Sequence, residues 1–131
     1  MSSTTQLRPL ERTRPLVAVV CTVPLLGEAV RSALEFADVQ TFSERGGDLD
    51  GLLRFLRPDV LIVDSHSGAE QAVAFARESD LPVLHLSVQE RELRFYRAGA
   101  WTHVGNGDGP TPEAIRNVVA GALFAKEVNG G

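Results

Sequence analysis

Few residues of this 131-residue chain have the means to do chemistry, and they stand where apolar runs end. The run "RPDVLIVDS" (57–65) climbs through Val60, Leu61, Ile62 and Val63 and stops on a single carboxylate, Asp64. "LVAVVCTV" (16–23) places a thiol and a hydroxyl, Cys21 and Thr22, near its end. "LPVLHLSV" (81–88) carries His85 and Ser87, two apart and so on one face of a strand. A carboxylate can accept a phosphoryl group or hold a hard cation. A thiol just before a helix N-terminus can act as a nucleophile. Each has a plainer reading. Asp64 can cap a turn, Cys21 can be a small buried hydrophobe, and Ser87 can satisfy a loop. The three histidines, His66, His85 and His103, have no carboxylate pair or Cys-x-x-Cys beside them, so no metal site is expected. His66 is the one expected nearest Asp64. The glycine-rich "GNGDG" (105–109) lacks the trailing Lys-Ser/Thr of a phosphate-binding loop and reads as a turn.

The elements that must position these residues follow from hydrophobic periodicity. Residues 16–23, 59–64 and 81–88 are β-branched or continuous apolar runs that suit strands buried on both faces. "DVQTFSE" (38–44) alternates and suits an edge strand, and "AWTHV" (100–104) is a last short strand. Between them, 24–37 carries Leu26, Ala29, Val30, Ala33, Leu34 and Ala37 on one helical stripe, with Pro24 in the first turn. Residues 49–57, capped by Asp48 and ended by Pro58, and 69–79 after a "SHSG" turn read as further helices. Residues 89–99 read as a fourth helix closed by Gly99 in a left-handed conformation. Residues 111–127 make a fifth, with Thr111 as cap and Pro112 at its first position. Alternating strands and helices imply a parallel sheet with helices on both faces, of strand order 2-1-3-4-5. Function in such sheets gathers at the carboxyl ends of the strands. Those ends carry Cys21 and Thr22, Asp64 and Ser65, Ser87, and Gly105 and Asn106.

The composition is that of one globular domain, 44% hydrophobic and 23% charged, which can bury a core without disulfides. With one cysteine no internal disulfide can form, and a reducing cytoplasmic setting is expected. A net charge of −4 argues against a nucleic-acid face as the main business. Arginines gather only at Arg8, Arg12 and Arg14 and at Arg91, Arg94 and Arg97, which read as solvated surface. No apolar run reaches the roughly 18 residues of a membrane helix. Residues 1–14 read as a polar arm, 15–127 as the domain and 128–131 as a tail.

Taken together, these segments resemble the receiver domain of bacterial response regulators over about residues 15–126. "PDVLIVDS" resembles the strand that carries the family's phosphoacceptor, which implies that role for Asp64. "LPVLHLS" resembles the strand whose terminal hydroxyl follows the phosphoryl group, implying a switch position at Ser87. "FYRAGAWTHV" is similar to the fourth helix and fifth strand, placing the switch aromatic on His103. "TPEAIRNVVAG" is similar to the fifth helix, especially in regulators with a helix-turn-helix output. The departures lie in the chemistry. Where the family has two adjacent acids, this chain has Cys21 and Thr22, and where it has a lysine, this chain has Asn106. Magnesium wants carboxylate oxygens, so the metal site is expected to be weak or missing. This pattern resembles the atypical, or pseudo-, receivers.

The resemblance implies a flavodoxin-like (CheY-like) three-layer sandwich with a five-stranded parallel sheet and five helices. It implies a regulatory protein-interaction module, not an enzyme, with no cofactor and no ordinary aspartyl phosphorylation. The expected partner face, for another protein or a second copy in a dimer, is helix 4, strand 5 and helix 5, with Arg94, Tyr96, Arg97 and Trp101. The pocket vacated by the acids, at Cys21, Thr22 and Asn106, is a candidate small-molecule site. DNA contact is expected only through an output domain that this sequence does not contain. Two alternatives stay open: a phosphorylatable receiver using Asp64, and a phosphotransfer protein using Cys21. The second resembles small tyrosine phosphatases and sugar-transport IIB proteins only in outline. The former need Cys-x5-Arg, and position 27 is Gly27; the latter have loops rich in Gly and Ser.

Overall fold

The computed structural model describes residues 14–43, 48–87, 89–104 and 110–130, with side chains as far as Leu123. The expected N-terminal arm and Asn106 lie almost wholly outside these residues. The chain runs β1 (Leu16–Cys21), α1 (Pro24–Ala33), β2 (Asp38–Ser43), α2 (Leu49–Leu56), β3 (Val60–Val63), α3 (His66–Ser79) and β4 (Val83–Ser87). It continues through β5 (Glu92–Arg97), β6 (Ala100–His103) and α4 (Pro112–Gly130). The sheet has the order β2-β1-β3-β4-β5-β6.

The first four strands pair in parallel, in the order expected. β1, β3 and β4 are buried along their whole length, as their continuous apolar runs require. β2 has the mixed exposure of an edge. One face buries Val17, Val19, Ile62 and Leu84 against Val30 and Leu34 and against Ile115 and Val119 of α4. The other buries Ala18, Leu61, Val63 and Val83 under Leu53 of α2 and Ala69, Ala72 and Ala76 of α3.

The helix expected over 89–99 is a β-hairpin. β5 runs antiparallel to β4, and β6 antiparallel to β5. The sheet is therefore mixed and six-stranded, with four helices, in place of five parallel strands and five helices. The segment "ELRFYR" is ambiguous in period. Leu93 and Tyr96 are spaced for a helix, whereas Leu93 and Phe95 alternate with Arg94 and Tyr96 as in a strand. The turns decide. Arg91 at φ 55° closes the first turn, and Ala98 and Gly99, at φ 54° and 86°, make a two-residue turn. Positive φ at both central positions matches the twist of a tight hairpin. Gly99 does adopt the left-handed conformation expected of it, but between strands and not at a helix end.

Other boundaries follow local chemistry. Asp48 caps α2 by accepting the Gly51 N–H at 3.0 Å. The expected "SHSG" turn is the first turn of α3, because Ser65 accepts the Gly68 N–H at 2.9 Å. Thr111 caps α4 through the Ala114 N–H at 3.1 Å. No helix among the described residues is long and apolar enough to cross a membrane.

Candidate functional site: the carboxyl edge of β1, β3 and β4

Asp64 follows the last residue of β3 and is half-buried. Its two carboxylate oxygens accept the Thr22 N–H at 3.0 and 2.9 Å. One of them also accepts the Thr22 hydroxyl at 3.0 Å and the Val23 N–H at 3.4 Å. These donors sit at the entrance to α1, whose N-cap, Val23, offers no capping side chain. A helix entrance attracts an anion because its N–H groups lack partners and the helix dipole is positive there. Asp64 is that anion, supplied from the neighbouring strand.

Cys21 ends β1 and is buried, on the face packed against α1. Burial, and then the Asp64 charge, push its thiol up; a hydrogen bond from the Gly27 backbone opposes them. A nucleophilic thiol needs the opposite balance. Thr22, exposed beside it, spends its backbone and hydroxyl donors on Asp64.

Thr22, Asp64 and Ser87 line one cavity of about 610 Å³, so the topology brings three residues singled out in the sequence together. His66, His85 and Glu90 line it too, and Leu25 and Leu26 form an apolar side. Cys21 is not among the lining residues and faces a smaller cavity with Thr41 and Phe42. Ser87 closes the turn after β4: its hydroxyl accepts the Glu90 N–H and donates to Glu90 Oε1, both at 3.3 Å. His66 Nε2 stands 3.7 Å from the same Glu90 oxygen. Among the described residues, no three His, Cys, Asp or Glu are grouped so as to hold a metal ion.

His85 is the residue of this edge whose part was not foreseen. It is 2% exposed, and its Nδ1 lies 2.9 Å from Arg94 Nη2. A guanidinium only donates, so Nδ1 accepts and the ring is neutral. Burial first, then Arg94 and His66, hold His85 below its ordinary value. The signal in the sequence is its spacing of two from Ser87; its partner is not legible there, because Arg94 pairs with it only when residues 92–97 form a strand.

The expected partner face is divided by the hairpin. Tyr96 opposes Trp101 and Arg94 opposes His103, which puts these four on one face of the sheet. The Arg94 guanidinium lies 4.7 Å from the centre of the Trp101 ring, a cation–π distance, and Trp101 meets Tyr96 edge-on at 5.3 Å. Arg97 points to the other face, where its Nη1 donates to the Ala122 carbonyl of α4 at 3.4 Å. The single face of helix 4, strand 5 and helix 5 therefore does not exist as expected, because its fourth helix is strand. His103 ends β6, exposed, and Asn106 lies outside the described residues.

No family model matches the chain, and no curated protein matches it. Among solved structures, the anti-anti-sigma factor PhyR from Bartonella quintana is similar, with a TM-score of 0.60 and 14% identity. The similarity covers 98% of this chain and 55% of that one, so this chain spans about half the neighbour's length. At this identity the likeness concerns the fold alone. It supports, in outline, a receiver-like α/β fold.

Proposed function

We propose that this chain is a regulatory module of receiver-like fold that acts by protein contact in signal transduction or transcription control, in the cytoplasm, and is not an enzyme. The observation that carries the reading is the state of Asp64. Its carboxylate is held by Thr22 and Val23, on the loop where a receiver would carry metal-binding acids. Transfer of a phosphoryl group to a carboxylate needs a cation to neutralise the transferring charge. The other carboxylate lining the cavity, Glu90, is engaged with Ser87 and His66. A phosphoryl group on Asp64 would also displace the contacts that hold the start of α1.

The test is incubation with acetyl phosphate and magnesium, read by intact mass. The expected result is no adduct. A gain of one phosphoryl group that Asp64→Asn abolishes would restore Asp64 as a phosphoacceptor.

A small-molecule reading of the same edge has one specific support. The cavity mouth carries Val23 and Leu25, 51% and 75% exposed, beside its polar floor. A ligand with an apolar body would cover them. Thermal shifts across a metabolite panel, lost in Leu25→Glu, would favour it, and a flat panel would count against it.

A further inference from the structure

The hairpin that replaces the expected fourth helix leaves a groove of about 400 Å³ between α3 and β5–β6. His66, Arg77, Arg94 and Trp101 line it, with Glu70 as its one acid. Among the described residues, neither Arg77 nor Arg94 has a carboxylate partner. Arg94 is fixed by His85 on one side and the Trp101 ring on the other, so its guanidinium is held in place before anything binds. This is a cationic groove on a chain of net charge −4.

Its outer wall is also an open sheet edge. β6 ends the strand order. The Val104 N–H donates to the Leu93 carbonyl at 2.8 Å, which sets the alternation of the hairpin ladder. The backbone groups of Ala100, Thr102 and Val104 therefore turn inward, and those of Trp101 and His103 turn outward, unpaired within the sheet. The strand "AWTH" has neither the proline nor the lysine that commonly blocks an edge. Trp101 joins the two features: its backbone lies on the edge and its ring lines the groove.

We infer that this edge and groove receive an extended, acidic segment of a partner protein, added as a seventh strand beside β6 with a carboxylate side chain directed to Arg94 and Arg77. The inference rests on the protein-contact reading above and names the chemistry of the partner. Backbone pairing supplies affinity and the alternate side chains supply selectivity. A bidentate carboxylate suits a preoriented guanidinium. A second copy is the poorer occupant. Its β6 carries no acid, and symmetric pairing would bring Arg94 toward Arg94.

The test is selection from a random twelve-residue peptide library on the full chain, followed by titration of a selected peptide against Trp101 fluorescence. Glu and Asp should be enriched at alternate positions. Replacing them with Gln and Asn should weaken binding at least tenfold, and Arg77→Gln or Arg94→Gln should erase that difference. Arg77 is an exposed residue of α3, so its variant keeps the test sound if the Arg94 variant folds poorly. Bound peptide should slow hydrogen exchange at the Trp101 and His103 amides. Enrichment without acids, no enrichment, or binding that leaves those amides unprotected would overturn the inference. So would a dimer that protects them without peptide. None of these outcomes touches the acetyl phosphate result, so the two readings fail separately.

Discussion

At the corner between β1 and β3, a carboxylate meets three donors from the entrance of α1. Across β4, on the hairpin, a guanidinium meets an imidazole and an indole but no acid among the described residues. Both regions present a charged side chain at the sheet's margin, yet they treat it differently. The Asp64 charge is answered from within the chain, by N–H and O–H groups at the entrance of α1. The Arg94 charge is positioned but not neutralised. An ionised group that is satisfied internally contributes to the fold, whereas one that is oriented and unanswered is available to a ligand. The proposed absence of phosphoryl chemistry at Asp64 and the proposed recognition at the hairpin both rest on this contrast.

The largest effect expected of a change on the hairpin side is from Trp101→Ala, which removes the ring between Arg94 and Tyr96. For a half-buried indole, urea unfolding should show a loss of about 2 kcal/mol. A loss below about 0.5 kcal/mol would mean that the ring does not brace Arg94, and the contrast between the regions would collapse. On the Asp64 side, Gly27→Ala probes the close seating of α1. A Cβ there would stand 2.8 Å from Thr41 Cγ2 and 3.6 Å from Cys21 Sγ. A net loss of about 1.5 kcal/mol is expected despite alanine's better helix propensity. A gain in stability would show that α1 is loosely seated.

Gly99→Ala tests the hairpin through its backbone alone. Nothing lies within 4 Å of an added Cβ, and φ is 86°. The expected cost is about 1 kcal/mol from conformation, read as a shift of the urea midpoint. No cost would argue against the tight hairpin. The smallest effect concerns pH. Because His85 is held below its ordinary value of 6.5, the unfolded chain takes up a proton that the folded chain resists. Its contribution is complete above about pH 6.5 and declines as pH falls from there through the lowered folded value. Between pH 7.5 and 5.5 the wild type should lose more of its urea midpoint than His85→Phe. Equal losses would place the acid sensitivity elsewhere.

The same two regions differ in how far they could be read from residues alone. The parallel half was legible because each signal pointed one way. β1, β3 and β4 are continuous apolar runs, Asp48 and Thr111 stand at their caps, and Pro24 and Pro112 open their helices. The hairpin was not. "ELRFYR" satisfies two periods at once, and two of its turn residues with positive φ, Arg91 and Ala98, are types that seldom adopt it. The Arg94–His85 bond and the face shared by Arg94, Tyr96 and Trp101 exist only if this segment is a strand, so the sequence does not show them. At the site, the meeting of Thr22, Asp64 and Ser87 followed from strand order. The direction of the Thr22 donors did not, since nothing in "CTVP" states that the loop turns its N–H groups toward the next strand.

The most direct test of the account is equilibrium urea unfolding of the wild type and Asp64→Ala, each with and without magnesium and beryllofluoride. If Asp64 is a structural acceptor, its removal should cost about 2 kcal/mol through the lost charge-assisted hydrogen bonds. The wild-type curve should not respond to magnesium and beryllofluoride. An Asp64→Ala variant as stable as the wild type, or a wild type stabilised by the two together through Asp64, would contradict it.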